Sequence, residues 1–526
     1  MGRRTFVIAV ALALAAMPSA AQATWREASS AHFVIYAEDA EQDMLEFTQE
    51  LERFHSALEL VTGHKLGAVS PSNRVTIYVV PNQRQVGSLY NSLGGDGRFI
   101  GGFYMPRAGS SVAIVQRIHD GVGSELDESM IILLHEYTHH FVASAASFPI
   151  PRWMSEGGAE FFGTASFGKD GSVGIGLAAN HRGTELFELS QVPIEELFDD
   201  ELYSKNRHGY DSYYGWSWLL YHYMTFAPER RGQLSKYITL LQQGRLSIDA
   251  AHEAFGDFDQ LRRDLNKYLR SRKLTFLNLT PELLATGQVT VRTLSEGAGE
   301  MMSVRIRSKV GVTAETAPGV VADARKVAAR YHSDPFVLAA LAEAEHDAGH
   351  QEEAIAAADA ALADDPKEVN AYVQKGLALF AEARKADDPD AAYAKAIKPF
   401  VALNKIENDH PLPLVYYFRS YTDRGKVPPD LAVQGLRRAV ELAPFDTGLR
   451  MTLAFQQLHH GDVALARRNL EPVAFDPHAE GAGKTAQAIL ERLDAPGPAP
   501  TDDEITALIE RVDAAEAAPA GGAGKE

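Results

Sequence analysis

The sequence predicts an α+β N-terminal domain followed by an all-α helical-repeat domain. Three observations carry this expectation. Two short runs rich in β-branched and aromatic residues flank an amphipathic segment within the first eighty residues. An apolar stretch of helical character near residue 135 carries two histidines four residues apart. Beyond residue 315 the chain turns alanine-rich, with glycines and prolines recurring at near-regular intervals.

The N-terminus carries Arg3 and Arg4, an apolar run from Phe6 to Met17, and an A-x-A end at Ala21 and Ala23. This is the anatomy of a signal peptide over residues 1–23. The twelve apolar residues are too few to span a bilayer. No later segment reads as a transmembrane helix, so a periplasmic or secreted location is expected. There is no cysteine, which leaves no disulfide framework, thiol chemistry or lipidated N-terminal cysteine. The formal charge is −19, and loss of Arg3 and Arg4 with the signal leaves 49 basic against 70 acidic residues, or −21. Such a balance disfavours nucleic acid and anionic lipid as partners.

From residue 24 to about 118 the pattern is mixed α/β. His32–Ala37 and Arg74–Val80 read as strands, and Glu41–Val61 between them as a helix, with Met44, Leu45, Phe47, Leu51, Phe54 and Leu58 at helical spacing. Residues 98–118 offer two short strands about a Pro-Arg-Ala-Gly turn, the second (Ser111–Gln116) placed at a sheet edge. Residues 119–275 read as mainly helical, with loops near 168–183 and 199–209. Over 276–314 the alternation of Val289 and Val291, then Val304 and Ile306, predicts a β-hairpin linker.

Residues 315–495 carry a repeat. Gly349, Gly425 and Gly461 precede Pro366, Pro444 and Pro477 by 16 to 19 residues, and the last two prolines lie 33 apart. A glycine turn, a helix of small residues and then proline resembles the tetratricopeptide repeat, whose period is about 34. The spacing is irregular and the usual tryptophan is absent. Residues 496–526 are expected to be disordered apart from one short helix.

Chemistry is concentrated in Met130–His140, where His135-Glu136-Tyr-Thr-His139 forms H-E-x-x-H inside a helical stretch. Residues four apart face the same way, so His135 and His139 can share one cation. Glu136, rotated by about 100°, can sit beside that cation without ligating it. A second segment, Pro151-Arg-Trp-Met-Ser-Glu156-Gly-Gly-Ala-Glu160, begins 12 residues after His139.

Together these segments resemble the zinc site of gluzincin peptidases, the superfamily of thermolysin and aminopeptidase N. The resemblance implies a thermolysin-like peptidase domain over 24–275 with one zinc per chain, held by His135, His139 and Glu156. It implies Glu136 as general base and Glu160 as the acidic residue that orients His135. The latter position is aspartate in thermolysin-like enzymes. Tyr213, Tyr214 and the aromatic segment around them resemble the tyrosine helix of aminopeptidase-N-like enzymes, with Tyr214 implied as the oxyanion donor and Tyr213 as the runner-up. His140, His181 and His222 read as packing or surface residues. His208 reads the same way, although it precedes Tyr214 in a loop and could donate to an oxyanion.

Two histidines and one carboxylate leave a coordination position open, which suits catalytic rather than structural zinc. The whole layout resembles exported peptidase-MA-like bacterial proteins. Ile100–Arg107 lacks the carboxylate with which aminopeptidases of the superfamily hold a free amine, so an endopeptidase is expected. The alternatives are an aminopeptidase, zinc-dependent hydrolysis of another bond, or a non-enzymatic envelope scaffold. The expected partners are a peptide or protein substrate and an envelope protein recruited by the repeats. Repeats that merely complete the core of the first domain are the competing expectation.

Overall fold

Residues 24–67, 69–116, 128–145, 148–206, 209–476 and 479–517 are described in the computed structural model, in which a twisted sheet organises the first third of the chain. The signal peptide, His208, Pro477 and the end of the tail lie outside these residues. Strands β1 (Arg26–Ser29), β2 (Phe33–Ala37), β3 (Val75–Val80), β4 (Gly102–Met105), β5 (Val112–Gln116) and β9 (Thr290–Thr293) form one sheet in the order β4-β5-β3-β2-β1-β9. β2, β3 and β5 run parallel, and β4, β1 and β9 join antiparallel to their neighbours. Helices α1 (Glu41–Thr62) and α2 (Gln83–Asn91) follow β2 and β3.

The central strands read as continuous apolar runs because both faces of the sheet are covered. Phe33, Ile35, Val75, Ile77 and Val79 point into the core shared with α1 and with α3 (Glu128–Ala145). Val34, Tyr36, Tyr78 and Val80 point the other way, into a second core with Val86 and Leu89 of α2.

Two sequence expectations are corrected here. Ser111–Gln116 is not the sheet edge, because β5 lies between β3 and β4, and β4 is the edge. The 276–314 hairpin does not form. Thr290–Thr293 instead pairs with β1, and Glu296–Val310 is a helix, capped where Ser295 Oγ accepts the Ala298 N–H at 3.1 Å. Its apolar residues look alternating because two faces are buried at once. Ala298, Met302, Ile306 and Val310, one helical turn apart, cover the sheet. Met301 and Val304 face Val320 and Val321 of the next helix.

The region between carries α3, α4 (Arg152–Gly163) and the helix Tyr213–Phe226, packed in sequence α3 on α4 and α4 on the aromatic helix. It also holds a three-stranded sheet of β6 (Ser166–Phe167), β7 (Val173–Ile175) and β8 (Leu277–Leu279), which the helical reading did not anticipate.

From Ala317 to Ala517 the described chain is helical, and consecutive helices pack on one another. Gly349, Gly425 and Gly461 have φ of 82°, 65° and 79°, the left-handed values that turn one helix into the next within a pair. This is the helical-repeat architecture the glycine spacing predicted. The tail carries the single helix its sequence allows, longer than expected. Asp502–Ala517 is a helix of 16 residues whose Ile505 and Leu508 are buried with Leu458 and Ile489.

The array does not stand apart from the first domain. Glu407 accepts the Ser72 N–H at 2.9 Å and its hydroxyl at 2.7 Å. Asn73 Nδ2 donates to Leu442 O at 2.9 Å, and the Ala108 N–H donates to Asp446 Oδ2 at 2.8 Å. Ala108 and Ala143 are packed into the apolar cluster of Val415, Phe418 and Phe445. The repeats therefore close back on the β4–β5 turn and on the end of α3. No helix among the described residues is long and apolar enough to cross a membrane.

Candidate metal centre

The apolar residues of α3 bury it between the sheet and α4, and this presents His135 and His139 on the face toward α4. Trp153, fully buried, anchors the start of α4 by donating Nε1–H to the Tyr237 hydroxyl at 2.9 Å. One turn further, Glu156 is fully buried and reaches the two histidines. The Nε2 atoms of His135 and His139 lie 3.1 Å apart, and Glu156 Oε2 lies 3.5 Å from the first and 3.4 Å from the second. These three atoms form a nearly equilateral triangle. A tetrahedral ion with bonds of about 2.0–2.1 Å requires ligand separations of roughly 3.3 Å. The donor set thus has the spacing as well as the chemistry of a group able to hold a metal ion, and the ligand atoms converge from two different helices.

The far nitrogens are also engaged. His135 Nδ1 lies 3.1 Å from Glu160 Oε1, and His139 Nδ1 lies 3.2 Å from Ser155 Oγ. Donation from each Nδ1–H leaves the Nε2 lone pair facing the shared centre. Burial lowers the His135 pKa, but the bonds to Glu156 and Glu160 override it and push it up to about 10. Burial would raise Glu156 and Glu160, yet hydrogen bonds from the histidines hold both carboxyls well below the usual range. Such a pocket favours positive charge, and a metal entering it must displace a proton.

Glu160 sits at the hub of a polar network. It bonds His181 Nε2 at 2.7 Å and accepts from Arg182 Nη2 at 2.5 Å, besides holding His135. Arg182 also donates to Glu185 Oε1 at 2.9 Å, and Glu185 Oε2 accepts the Gly215 N–H at 2.7 Å. His181, Arg182, Glu185 and Ser155 were missed by sequence reasoning. His181 in particular belongs to the network around the centre, not to the general surface.

Tyr214 is brought to the centre. Its hydroxyl donates to Glu156 Oε1 at 3.3 Å, and the Arg182 guanidinium lies 4.9 Å over its ring. Tyr213 points away into the core, its ring tilted against that of Tyr203 with centroids 4.2 Å apart. His140 also turns away. It bonds the Tyr104 hydroxyl at 2.6 Å and packs 4.5 Å from Phe445. His222 is a packing residue, bonded to Tyr268 at 2.9 Å and to Gly176 O at 3.0 Å.

Glu136 and His139 open on a cavity of about 320 Å³. One side is the edge strand β4, through Gly102, Phe103 and Tyr104, and the base is α3. The opposite side comes from the repeats, through Phe445, Thr447, Arg450, Phe475 and Asp476.

No protein-family model matches the chain, and no curated protein matches it in sequence. Among solved structures it is similar to a thermophilic TPR protein of Thermus thermophilus, at 17% identity and a TM-score of 0.30, over 33% of this chain and 91% of that one. It is similar to the MamA RS-1 ArsTM double mutant at 13% identity and a TM-score of 0.26, over 43% and 99% of the two chains. A monomeric IFIT1 mutant with m7Gppp-AAAA gives 13% identity and a TM-score of 0.31, over 76% and 84%. At such scores the repeat architecture rests on the helix packing within this chain.

Proposed function

We propose that the protein is an exported, zinc-dependent peptidase that cuts peptide bonds within a chain. The observation that carries this reading is the triangle of His135, His139 and Glu156, with Glu136 of the same helix lining the adjoining cavity. The donor set fits zinc in number, atom type and spacing, and a centre held by three protein ligands keeps a position open for chemistry. When bound, zinc supplies a Lewis acid that lowers the pKa of water to about 7 and polarises a carbonyl.

The chain's own residues supply the rest. Glu136 accepts the attacking water's proton and returns it to the departing amine. Tyr214, whose hydroxyl reaches Glu156 across the centre, donates to the oxyanion that develops on the substrate carbonyl. Glu160 and Ser155 keep the histidine rings in the ligating tautomer. Among the described residues β4 pairs only with β5, so its outer edge is open beside Glu136, where an extended peptide can add as a strand. No carboxylate on β4 awaits a free amine, which favours internal cutting.

The deciding experiment compares wild type with Glu136→Gln on an unbiased peptide library, with zinc content measured in both. Wild type should cut inside peptides. The variant should keep its zinc and lose hydrolysis by several orders of magnitude, since an amide cannot take the water's proton. Absence of cutting by zinc-loaded wild type would reject the enzyme reading and leave a helical scaffold, and equal cutting by the variant would reject Glu136 as the base.

A further inference from the structure

The cleft beside Glu136 is mostly apolar, lined by Tyr90, Ile100, Phe103, Val142, Phe148 and Ile150. Among the described residues that line it, Arg450 alone carries a permanent positive charge. Arg450, in the first turn of the helix Thr447–His459, is only 9% exposed. Its Nε donates to Pro444 O at 2.5 Å, which sets the plane of the guanidinium. Among the described residues no carboxylate lies within ion-pairing distance of it. Asp446, which could have served, is committed to backbone: Oδ1 accepts the Leu449 N–H at 3.0 Å and Oδ2 the Ala108 N–H at 2.8 Å. Asp476 lines the same cavity, and its charge favours the charged guanidinium.

A guanidinium stays charged at any accessible pH, and burying one without a carboxylate beside it is costly. Burial pulls its pKa down here, which marks that cost. A cost of this kind is recovered when an anion enters, because the planar fork binds a carboxylate through two charge-assisted hydrogen bonds. The cavity volume accommodates a large apolar side chain next to that anion.

We infer that Arg450 is a specificity-determining residue that holds a carboxylate of the bound peptide, beside an apolar or aromatic side chain, in the cleft that the repeats and β4 form together. This inference rests on the peptidase reading for its substrate class. The carboxylate has two sources, a peptide's C-terminus or an aspartate or glutamate side chain. Either way the repeats take part in choosing the substrate.

The test is a binding measurement on the zinc-loaded Glu136→Gln protein, which requires no turnover. Three fluorescein-labelled pentapeptides are compared: one ending in phenylalanine as the free acid, the same peptide as the amide, and an amide with glutamate beside the phenylalanine. Binding of the free acid at least about 10-fold tighter than its amide points to the C-terminal carboxylate. Equal tightening by glutamate in the amide points to the side chain. In either case Arg450→Met, made in the same background, should abolish the preference, and Arg450→Lys should retain part of it. Indifference of the unmodified cleft to all three peptides would overturn the inference. So would a preference that survives in Arg450→Met, since the carboxylate would then be held elsewhere. If Arg450→Met does not fold, Arg450→Gln takes its place. Failure of wild type to cut any peptide bears on the peptidase reading, whereas the acid-over-amide ratio reads Arg450 directly.

Discussion

Glu160 lies outside the group of His135, His139 and Glu156, yet it holds His135, His181 and Arg182 at once. Its charge favours His135 Nδ1 as the donor and leaves the Nε2 lone pair facing the shared centre. Glu160→Gln preserves shape and removes that charge. The expected result is a zinc affinity lower by about 10–100-fold with the fold intact, measured by competition with a coloured chelator. Unchanged affinity would show that Ser155 and the helix geometry orient the rings sufficiently. The same logic separates Tyr214 from Tyr213. Neighbours in sequence, one reaches the centre and the other is locked in the core against Tyr203.

At the scale of elements, α4 is positioned by glycine. A Cβ on Gly157 would lie 2.4 Å from Ser217 O, a backbone atom of the aromatic helix that has no room to retreat. A Cβ on Gly158 would press the Tyr221 ring at 3.3 Å. The pair lets α4 lie against the helix Tyr213–Phe226 closely enough for Tyr214 to meet Glu156. Gly157→Ala should therefore cost on the order of 1–3 kcal/mol and shift Glu156 away from the histidines. Thermal unfolding and zinc content should both fall. A variant that is destabilised but fully zinc-loaded would mean that the ligand triangle survives separation of the two helices.

Across the whole molecule, the repeats line one side of the cleft and bond to the first domain, which favours a part in short-peptide cutting over recruitment alone. Ending the chain at residue 315 would strip the wall of Phe445, Arg450 and Phe475 and expose Met301 and Val304, now buried against the next helix. The truncated protein should aggregate on size exclusion, and any soluble fraction should lose at least about 10-fold in kcat/KM on short peptides. Short-peptide kinetics left intact on a soluble, zinc-loaded truncation would restore the recruitment reading.

The grouping of His135, His139 and Glu156 was legible because its geometry is local. A four-residue interval fixes two imidazoles on one helical face, and the second helix follows within a short interval. The strands around Ile35 and Ile77, the helix Glu41–Thr62 and the glycine turns of the repeats were legible for the same reason, since each is a period or a backbone need written in neighbouring residues. Elsewhere tertiary contact decided. Residues 296–310 alternate on paper because two partners bury two faces of one helix, and only those partners distinguish it from a hairpin. The Glu160 network draws His181, Arg182 and Glu185 from a segment without apolar periodicity. Arg450 lies some 300 residues from His139 in sequence and meets the same cavity only because the helical array closes back on the sheet edge. Contacts that close a chain over such distances depend on the sum of many helix-packing angles, and no spacing in the sequence records that sum.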